Sequence, residues 1–306
     1  MTSLLLYFMK KILKKLILAI PSLLIYCLKA YGFAVKAIFK RDLVYEILSR
    51  LLDENERKTK KVLHKKSTED VVSLEFFTPN TMCQMRAETF STKEPEILKW
   101  IDEHGGESNF WDIGANIGLY SIYYAKSQPG TVVSFEPSVF NLKQLAKNIT
   151  INKLSDKIGL VPIPLSDASG YNKFIISSTE EGSAQNAFGV NHGFDGNQIV
   201  NNIEYRVMGL SGDKLMEAEL IKDIPKLIKI DVDGIEHMIL KGMKNVLRAK
   251  ECYSVFVEVN DEFEEQAEGV KDILEECGFK LSIKTQAEMH ELSKYGTTFN
   301  QIWFKE

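Results

Sequence analysis

The chain has 306 residues, 44% of them hydrophobic and 26% charged, a balance that excludes a wholly disordered chain and leaves room for one full α/β domain with an appendage. Its formal net charge of −4 hides an asymmetry: residues 1–41 carry eight of the 38 basic residues and none of the 42 acidic ones. An acidic body argues against nucleic acid as a partner, and four cysteines without a C-x-x-C pair suggest neither a zinc ribbon nor a disulfide framework, so a reducing, cytoplasmic setting fits.

Wound as a helix at about 100° per residue, residues 10–40 put Lys11, Lys15, Lys29, Lys36 and Lys40 on one narrow stripe, with Leu13, Ile17, Leu24, Val35 and Ile38 opposite. This is the pattern of an amphipathic helix lying on an anionic membrane surface. A transmembrane span over 16–35, a cleaved signal peptide and a helix docked on its own protein are the rivals. Pro21, Lys29 and Gly32 count against the span, and Leu28 and Ala30 make a poor small-x-small cleavage site. Residues 42–70 turn highly charged, with Glu54-Asn55-Glu56-Arg57-Lys58 in the middle, and read as a solvated helix and linker. The main domain is expected over 71–306.

Within it, 71–77 and 82–89 read as an antiparallel strand pair, followed by a helix from Glu94-Pro95, where proline suits a first turn. Strands are expected at 110–113, 132–135 and 158–165, with helices at 118–127 and 140–152 between them. Residues 171–209, rich in glycine and asparagine, break the rhythm and read as a substrate-side insertion. The alternation resumes with a strand at 226–232, a helix over 236–247, a strand at 254–259, a helix over 264–277, and final strands at 280–284 and 300–304. Strand and helix alternating at this spacing predict an α/β, Rossmann-like, doubly wound and mostly parallel sheet, with the amphipathic helix as an N-terminal extension.

The most informative stretch is Trp111-Asp112-Ile113-Gly114-Ala115-Asn116-Ile117-Gly118-Leu119-Tyr120. An apolar strand runs into Gly114, which permits a sharp turn and a close ligand, and Gly118 opens a helix. The second strand ends at Glu136, where an acid is placed to hydrogen-bond a ribose diol. A dinucleotide fingerprint would need G-x-G-x-x-G; here Asn116 stands where the second glycine would be, so a dinucleotide oxidoreductase is the weaker reading. S-adenosylmethionine has no pyrophosphate and accepts the wider D-x-G-x-N-x-G loop. A plain strand-to-helix connection is the bland alternative.

These motifs, with Phe135-Glu136-Pro137, Asn148 to Asn152, Leu165-Ser166-Asp167 and Lys229-Ile230-Asp231-Val232-Asp233-Gly234-Ile235-Glu236 in the same order, resemble the FkbM family of methyltransferases over about residues 75–305. The resemblance implies a class I methyltransferase fold, S-adenosylmethionine as donor and, commonly, O-methylation of sugars or other hydroxylated metabolites. It also implies that Asp112 and Gly114, with Asn116 and Gly118 in the same loop, lie along the methionine part of the cofactor. Glu136 would meet the ribose, and Ser166 and Asp167 the adenine amine; Asp167-Ala168-Ser169-Gly170 is otherwise an ordinary turn.

At the reacting end, a hydroxyl acceptor benefits from a base and from precise placement. Strand alternation puts Lys229 and Asp231 on one face of the fourth strand, at the sheet edge where ligands gather. Glu258, at the end of the fifth strand, is a further acid facing the cleft, and Asp231, Lys229 and Glu258 are the catalytic candidates. Asp233 and Glu236 match an N-cap and the N3 acid of a capping box. With Asp231 they could instead hold a hard divalent cation, although nothing in the sequence requires one. His237 and His290 sit in no metal-like spacing. The expected partners are a hydroxylated small-molecule or glycan acceptor, lipid-linked if the head is bound to a membrane, and an anionic membrane surface; N-methylation is the rival reaction.

Overall fold

The computed structural model describes residues 2–40, 42–199, 203–286 and 295–306. It divides into two compact units, residues 1–58 and 59–306. In the first, α1 (Thr2–Phe39) is one long helix containing Pro21, followed by α2 (Leu43–Glu56), whose N-cap Asp42 accepts from the Tyr45 amide at 2.9 Å. Val35 and Val44 are buried where the two meet, and Gly32 leaves room there, since a Cβ would come within 3.1 Å of Val44. Leu13, Leu23, Leu24, Tyr26 and Phe33 of α1 are exposed.

The second unit opens with β1 (Thr59–Lys65) and β2 (Val71–Phe77), an antiparallel pair. Two readings of the sequence are corrected here. The partner of β2 lies in the charged stretch read as linker, and residues 82–89 belong to a helix, α3 (Thr81–Thr89). The cause is local: the Asn80 side chain accepts from the Cys83 amide at 2.8 Å as an N-cap, and Cys83 and Ala87, four apart, are buried on one face. Then follow α4 (Pro95–His104), β3 (Phe110–Ile113), α5 (Leu119–Ser127), β4 (Val132–Phe135), α6 (Val139–Ile151) and β5 (Ile158–Val161). The insertion folds as β6 (Gly170–Ile176), β7 (Ala187–Phe188) and β8 (Ile203–Gly209), a small antiparallel sheet in the order β7-β6-β8. After α7 (Gly212–Glu217) and β9 (Leu227–Ile230), the expected single helix is split into α8 (Glu236–Lys241) and α9 (Lys244–Arg248). It breaks at Gly242, where a Cβ would stand 2.1 Å from the Ser166 carbonyl oxygen. The chain ends with β10 (Ser254–Asn260), α10 (Glu264–Glu276), β11 (Phe279–Thr285) and β12 (Thr298–Lys305).

Among the described residues the main sheet has seven strands in the order β11-β12-β10-β9-β3-β4-β5. The pairs from β10 to β5 are parallel, and β12 runs antiparallel to both its neighbours. Alternation divides the core: Phe110 and Phe256 join Trp100, Tyr124 and Leu145 on one face, whereas Trp111, Ile228, Ile230 and Val257 join Leu240, Leu247 and Leu274 on the other. This is the expected doubly wound sheet with helices on both faces. Its strand order reverses between β3 and β9, the crevice where such sheets bind ligands.

Candidate active site

The site begins with the loop after β3. Gly114, Asn116 and Gly118 have φ of 80°, 51° and 88°, and a Cβ on Gly114 would lie 2.0 Å from the Asp231 carbonyl oxygen. Glycine is what lets the end of β3 pass against the end of β9. Strand register then sets side chains abreast: Asp112 is opposite Ser134 on one side and Lys229 on the other. All three are buried. Ser121 donates to Asp112 at 2.5 Å and lies 2.7 Å from Ser134. The Lys229 ammonium stands 3.4 Å from Asp112 and 3.3 Å from Asp231. A polar chain thus runs from the middle of the sheet to Asp231, whose side chain keeps 30% exposure. Burial works against the charge of Lys229, yet Asp231, Asp112 and Glu94 hold its ammonium above the ordinary lysine range. Burial likewise pushes Asp231 up, but Lys229 and Lys93 outweigh it and keep its carboxyl below the usual carboxylate range.

A narrow slot of about 60 Å³ lies beyond this chain, walled by Phe135, Pro137, Ile163, Leu165, Phe174 and Ile239, with Glu136 at its edge. The Glu136 carboxylate accepts from the amides of Asn116 and Ser138, both at 2.8 Å. Burial still pushes it up to about 7. Asn116 and Asn186 also line the slot, and their side-chain carbonyl oxygens are buried with no hydrogen-bond partner among the described residues. Gly114 lines the slot as well, whereas Asp112, Gly118, Ser166 and Asp167 do not. Asp112 lies beneath the loop in the polar chain, outside the lining of the slot. Ser166 and Asp167 sit behind the wall that Leu165 forms: the Ser166 hydroxyl donates to Asp167 at 3.3 Å, and Asp167 pairs with Lys241 at 3.0 Å.

Next to the slot, and sharing Gly114, Asn116, Asp231 and Asp233 with it, is a larger cavity of about 540 Å³. All three catalytic candidates, Lys229, Asp231 and Glu258, line it. So do Arg86, Lys93, Glu94 and Tyr120, which sequence reasoning missed. Glu94-Pro95 was legible as a helix start, and Glu94 is indeed the N-cap of α4. Its side chain, however, makes no capping bond; it accepts from Lys93 at 2.9 Å and from the Tyr120 hydroxyl.

The capping box expected at Asp233 and Glu236 does not form. The N-cap of α8 is Ile235. Asp233, itself at φ 67°, accepts from the amides of Gln185 and Asn186 at 2.6 and 3.2 Å, and so fastens the insertion to the end of β9. Asn116 and Arg86 add to this, donating to the carbonyls of Ser183 at 2.9 Å and Gly182 at 2.7 Å. Glu236 turns back into its own loop, accepting from the Val232 amide at 3.0 Å, the Gly234 amide at 3.1 Å and the Gln266 side chain. These bonds keep Asp231, Asp233 and Glu236 from converging, and among the described residues no group of three or more His, Cys, Asp or Glu side chains is placed to hold a metal ion. His237 stands 3.9 Å from Glu265; His290 lies outside the described residues.

A doubly wound, mostly parallel sheet with a glycine loop after its first parallel strand and an acid after the second defines the Rossmann-like class of protein. The Methyltransferase FkbM domain matches residues 112–281, more than half of the chain, and the chain belongs to the FkbM methyltransferase family. Hexuronic acid methyltransferase AglP of Haloferax volcanii is 30% identical over 157 residues, covering 51% of this chain and 59% of that protein. AMB antimetabolite synthetase AmbE of Pseudomonas aeruginosa is 27% identical over 216 residues, covering 60% of this chain and 10% of that protein. The chain thus spans about three fifths of one curated relative and a tenth of the other. Among solved structures, methyltransferase FkbM from Methylobacillus flagellatus KT is 13% identical with a TM-score of 0.43, covering 65% of this chain and 44% of that one.

Proposed function

We propose that this protein transfers a methyl group from S-adenosylmethionine to a hydroxyl of a sugar or another hydroxylated metabolite. The observation that carries this reading is the adjoining pair of sites: a narrow slot with the Glu136 carboxylate and, among the described residues, two unbonded amide carbonyls, opening through Gly114, Asn116, Asp231 and Asp233 into a larger cavity lined by several charged side chains. The slot's residues suit an adenosyl group. Its apolar walls would take the adenine, Glu136 the ribose diol, and the Asn186 carbonyl a donor on either; Ser166 and Asp167 would approach the adenine amine from behind Leu165. Gly114, Asn116 and Gly118 would carry the methionine part. Asp112 would act through Lys229 and Ser121, holding the strand ends in place.

When bound, the cofactor supplies a methyl group made electrophilic by its sulfonium. What the chain must do is hold a hydroxyl in line with it and take up the proton. Lys229, Asp231 and Glu258 surround the place where such a hydroxyl would sit. That the relative AglP is named for a hexuronic acid supports a sugar acceptor. N-methylation would need a neutral amine, which an acid-rich cavity disfavours by keeping it protonated.

S-adenosylmethionine and S-adenosylhomocysteine are each expected to raise the melting temperature of the full-length protein, as ligands of the native state must. Loss of the ribose contact in Glu136→Ala should weaken binding by roughly tenfold to a hundredfold, the scale of a hydrogen bond to a charged group. A shift with NAD and none with S-adenosylmethionine would overturn the reading.

We further propose that residues 1–41 hold the protein on the cytoplasmic face of an anionic membrane. Residues 21–38 are long and apolar enough to cross a bilayer, with a mean hydropathy of 1.2 and only 6% of the segment buried, while Lys11, Lys14, Lys15, Lys29 and Lys40 are exposed. Each cation near such a surface contributes about 1 kcal/mol. Flotation with anionic vesicles, reversed by high salt, is the expected result. Equal, salt-insensitive binding to neutral vesicles would favour a span, and no flotation would return the helix to a docked role.

A further inference from the structure

The acids of the larger cavity differ in what holds them. Asp231 faces the Lys229 ammonium at 3.3 Å. Asp233 is taken by the Gln185 and Asn186 amides, and Glu94 by Lys93 and Tyr120. Glu180, on the insertion, is exposed to solvent, which stabilises its charge. Glu258 lines the same cavity from β10, is only partly covered, and its side chain makes no hydrogen bond or ion pair among the described residues. A carboxylate fixed by an ammonium is a weak base, because its charged form is already stabilised. One without a partner is a stronger base.

Resting on the methyltransferase reading above, we propose that Glu258 is the group that takes the acceptor's proton, and that the positive charge of the sulfonium, bound beside the cavity that Glu258 lines, readies it by favouring its ionised form. In the transfer, the acceptor oxygen forms its bond to the methyl carbon and the carbon–sulfur electron pair stays on sulfur. The hydroxyl proton passes to the Glu258 carboxylate. Asp231 and Lys229 are then positioning residues that keep the strand ends and the acceptor in place.

The charges around Glu258 agree with this order of events. Burial, and then Asp231 and Glu94, push its carboxyl well above the ordinary range; Lys93 opposes them and Asp233 adds to them. Arg86 and Lys229 complete the cations of the cavity. A further positive charge entering among these acids favours the ionised form of the one whose charge is least supported, Glu258. The neutral thioether left after transfer removes that charge, so Glu258 keeps the proton it has received until the product leaves.

Calorimetric titration of the full-length protein at neutral pH, in buffers of different ionisation enthalpy, tests the proposal with no acceptor present. S-adenosylmethionine should release about one proton per site more than S-adenosylhomocysteine, which differs only in the sulfonium methyl and its charge. Glu258→Gln should bind both and abolish the difference. Difference infrared spectra should lose a protonated carboxyl band on cofactor binding in the wild type and show no such change in the variant. Equal proton release by the two compounds in the wild type overturns the proposal whether or not the variant folds, and so does a difference that survives in Glu258→Gln. If neither compound binds, the methyltransferase reading itself falls.

Discussion

The slot and the larger cavity meet at the same two strand ends but are assembled in different ways. One side of the slot draws on consecutive pieces of chain: the loop after β3, Glu136 and Pro137 after β4, and Ile163 and Leu165 after β5. The other side is closed by Phe174, Asn186 and Phe188 of the insertion and by residues 231–239. The cavity gathers Arg86 from α3, Lys93 and Glu94 before α4, Lys229 and Asp231 from β9, Glu258 from β10 and residues 177–185 of the insertion. The side of the slot made by the turns after β3 and β4 can keep its shape while the cavity beside it is remade by changes in several distant segments. This division suits a shared cofactor and a variable acceptor.

Lys229, which lines only the cavity, holds Asp231, which lines both, against Asp112 beneath the shared loop, and its removal is the largest way to break the comparison. In Lys229→Met, Asp112 and Asp231 lose the cation that both face at 3.4 and 3.3 Å, inside the protein. Removing one partner of a buried ion pair costs about 3–5 kcal/mol, so chemical denaturation should show a loss of that size. Asp112→Asn, which keeps the Ser121 contact, should restore part of it in the double variant. If Lys229→Met lost less than about 1 kcal/mol, the two sites would be independent.

The same contrast explains what the sequence made legible. The slot's loop could be read because Gly114, Asn116, Gly118 and Glu136 lie within one strand-helix-strand unit, and the sheet because its strands are short apolar runs such as Leu227–Ile230. Lys93, Glu94 and Tyr120 carried no such signal, since they acquire a role only when α4 and α5 pack beside β9. Strand β1 was hidden by its exposure: in Thr59–Lys65 only Val62 and His64 are even half-buried, so the segment has the composition of a solvated face. The helix α3 did announce itself through Asn80, but its residues also alternate enough to pass for a strand. Asp233 and Glu236 had the spacing of a cap, and it is the left-handed turn at Asp233 and Gly234 that sends both carboxylates elsewhere.

Acid–base behaviour should show a smaller difference between the regions. Burial raises Glu136 and Glu236 to about 7 and Asp233 to about 6, while the unfolded chain releases these protons near pH 4. Between those limits the folded protein binds more protons than the unfolded one. Stability from these groups is therefore fully present below about pH 4 and is lost as pH rises through 6 to 7. The melting temperature of the free protein is expected to fall from about pH 5 to about pH 7.5. Glu236→Gln, which cannot ionise, should flatten that fall without weakening the cofactor; Glu136→Gln should flatten it and weaken the cofactor as well. A melting temperature that rises over this range would show that the buried carboxylates are charged at little cost.

The smallest expected effect sharpens the boundary of the slot. Asp167 was expected at the adenine amine, yet its carboxylate faces Lys241 with side-chain exposures of 24% and 64% for the two residues. An exposed pair of this kind is worth about 0–1 kcal/mol, so it does not bind the carboxylate strongly; what limits its contribution is that Asp167 lies outside the lining of the slot. Asp167→Ala should weaken S-adenosylmethionine by no more than about fivefold, and Lys241→Ala, by freeing the carboxylate, should leave binding unchanged or slightly tighter. A loss in Asp167→Ala as large as that in Glu136→Ala would mean that the wall at Leu165 opens when the adenine enters and that Asp167 becomes part of the slot.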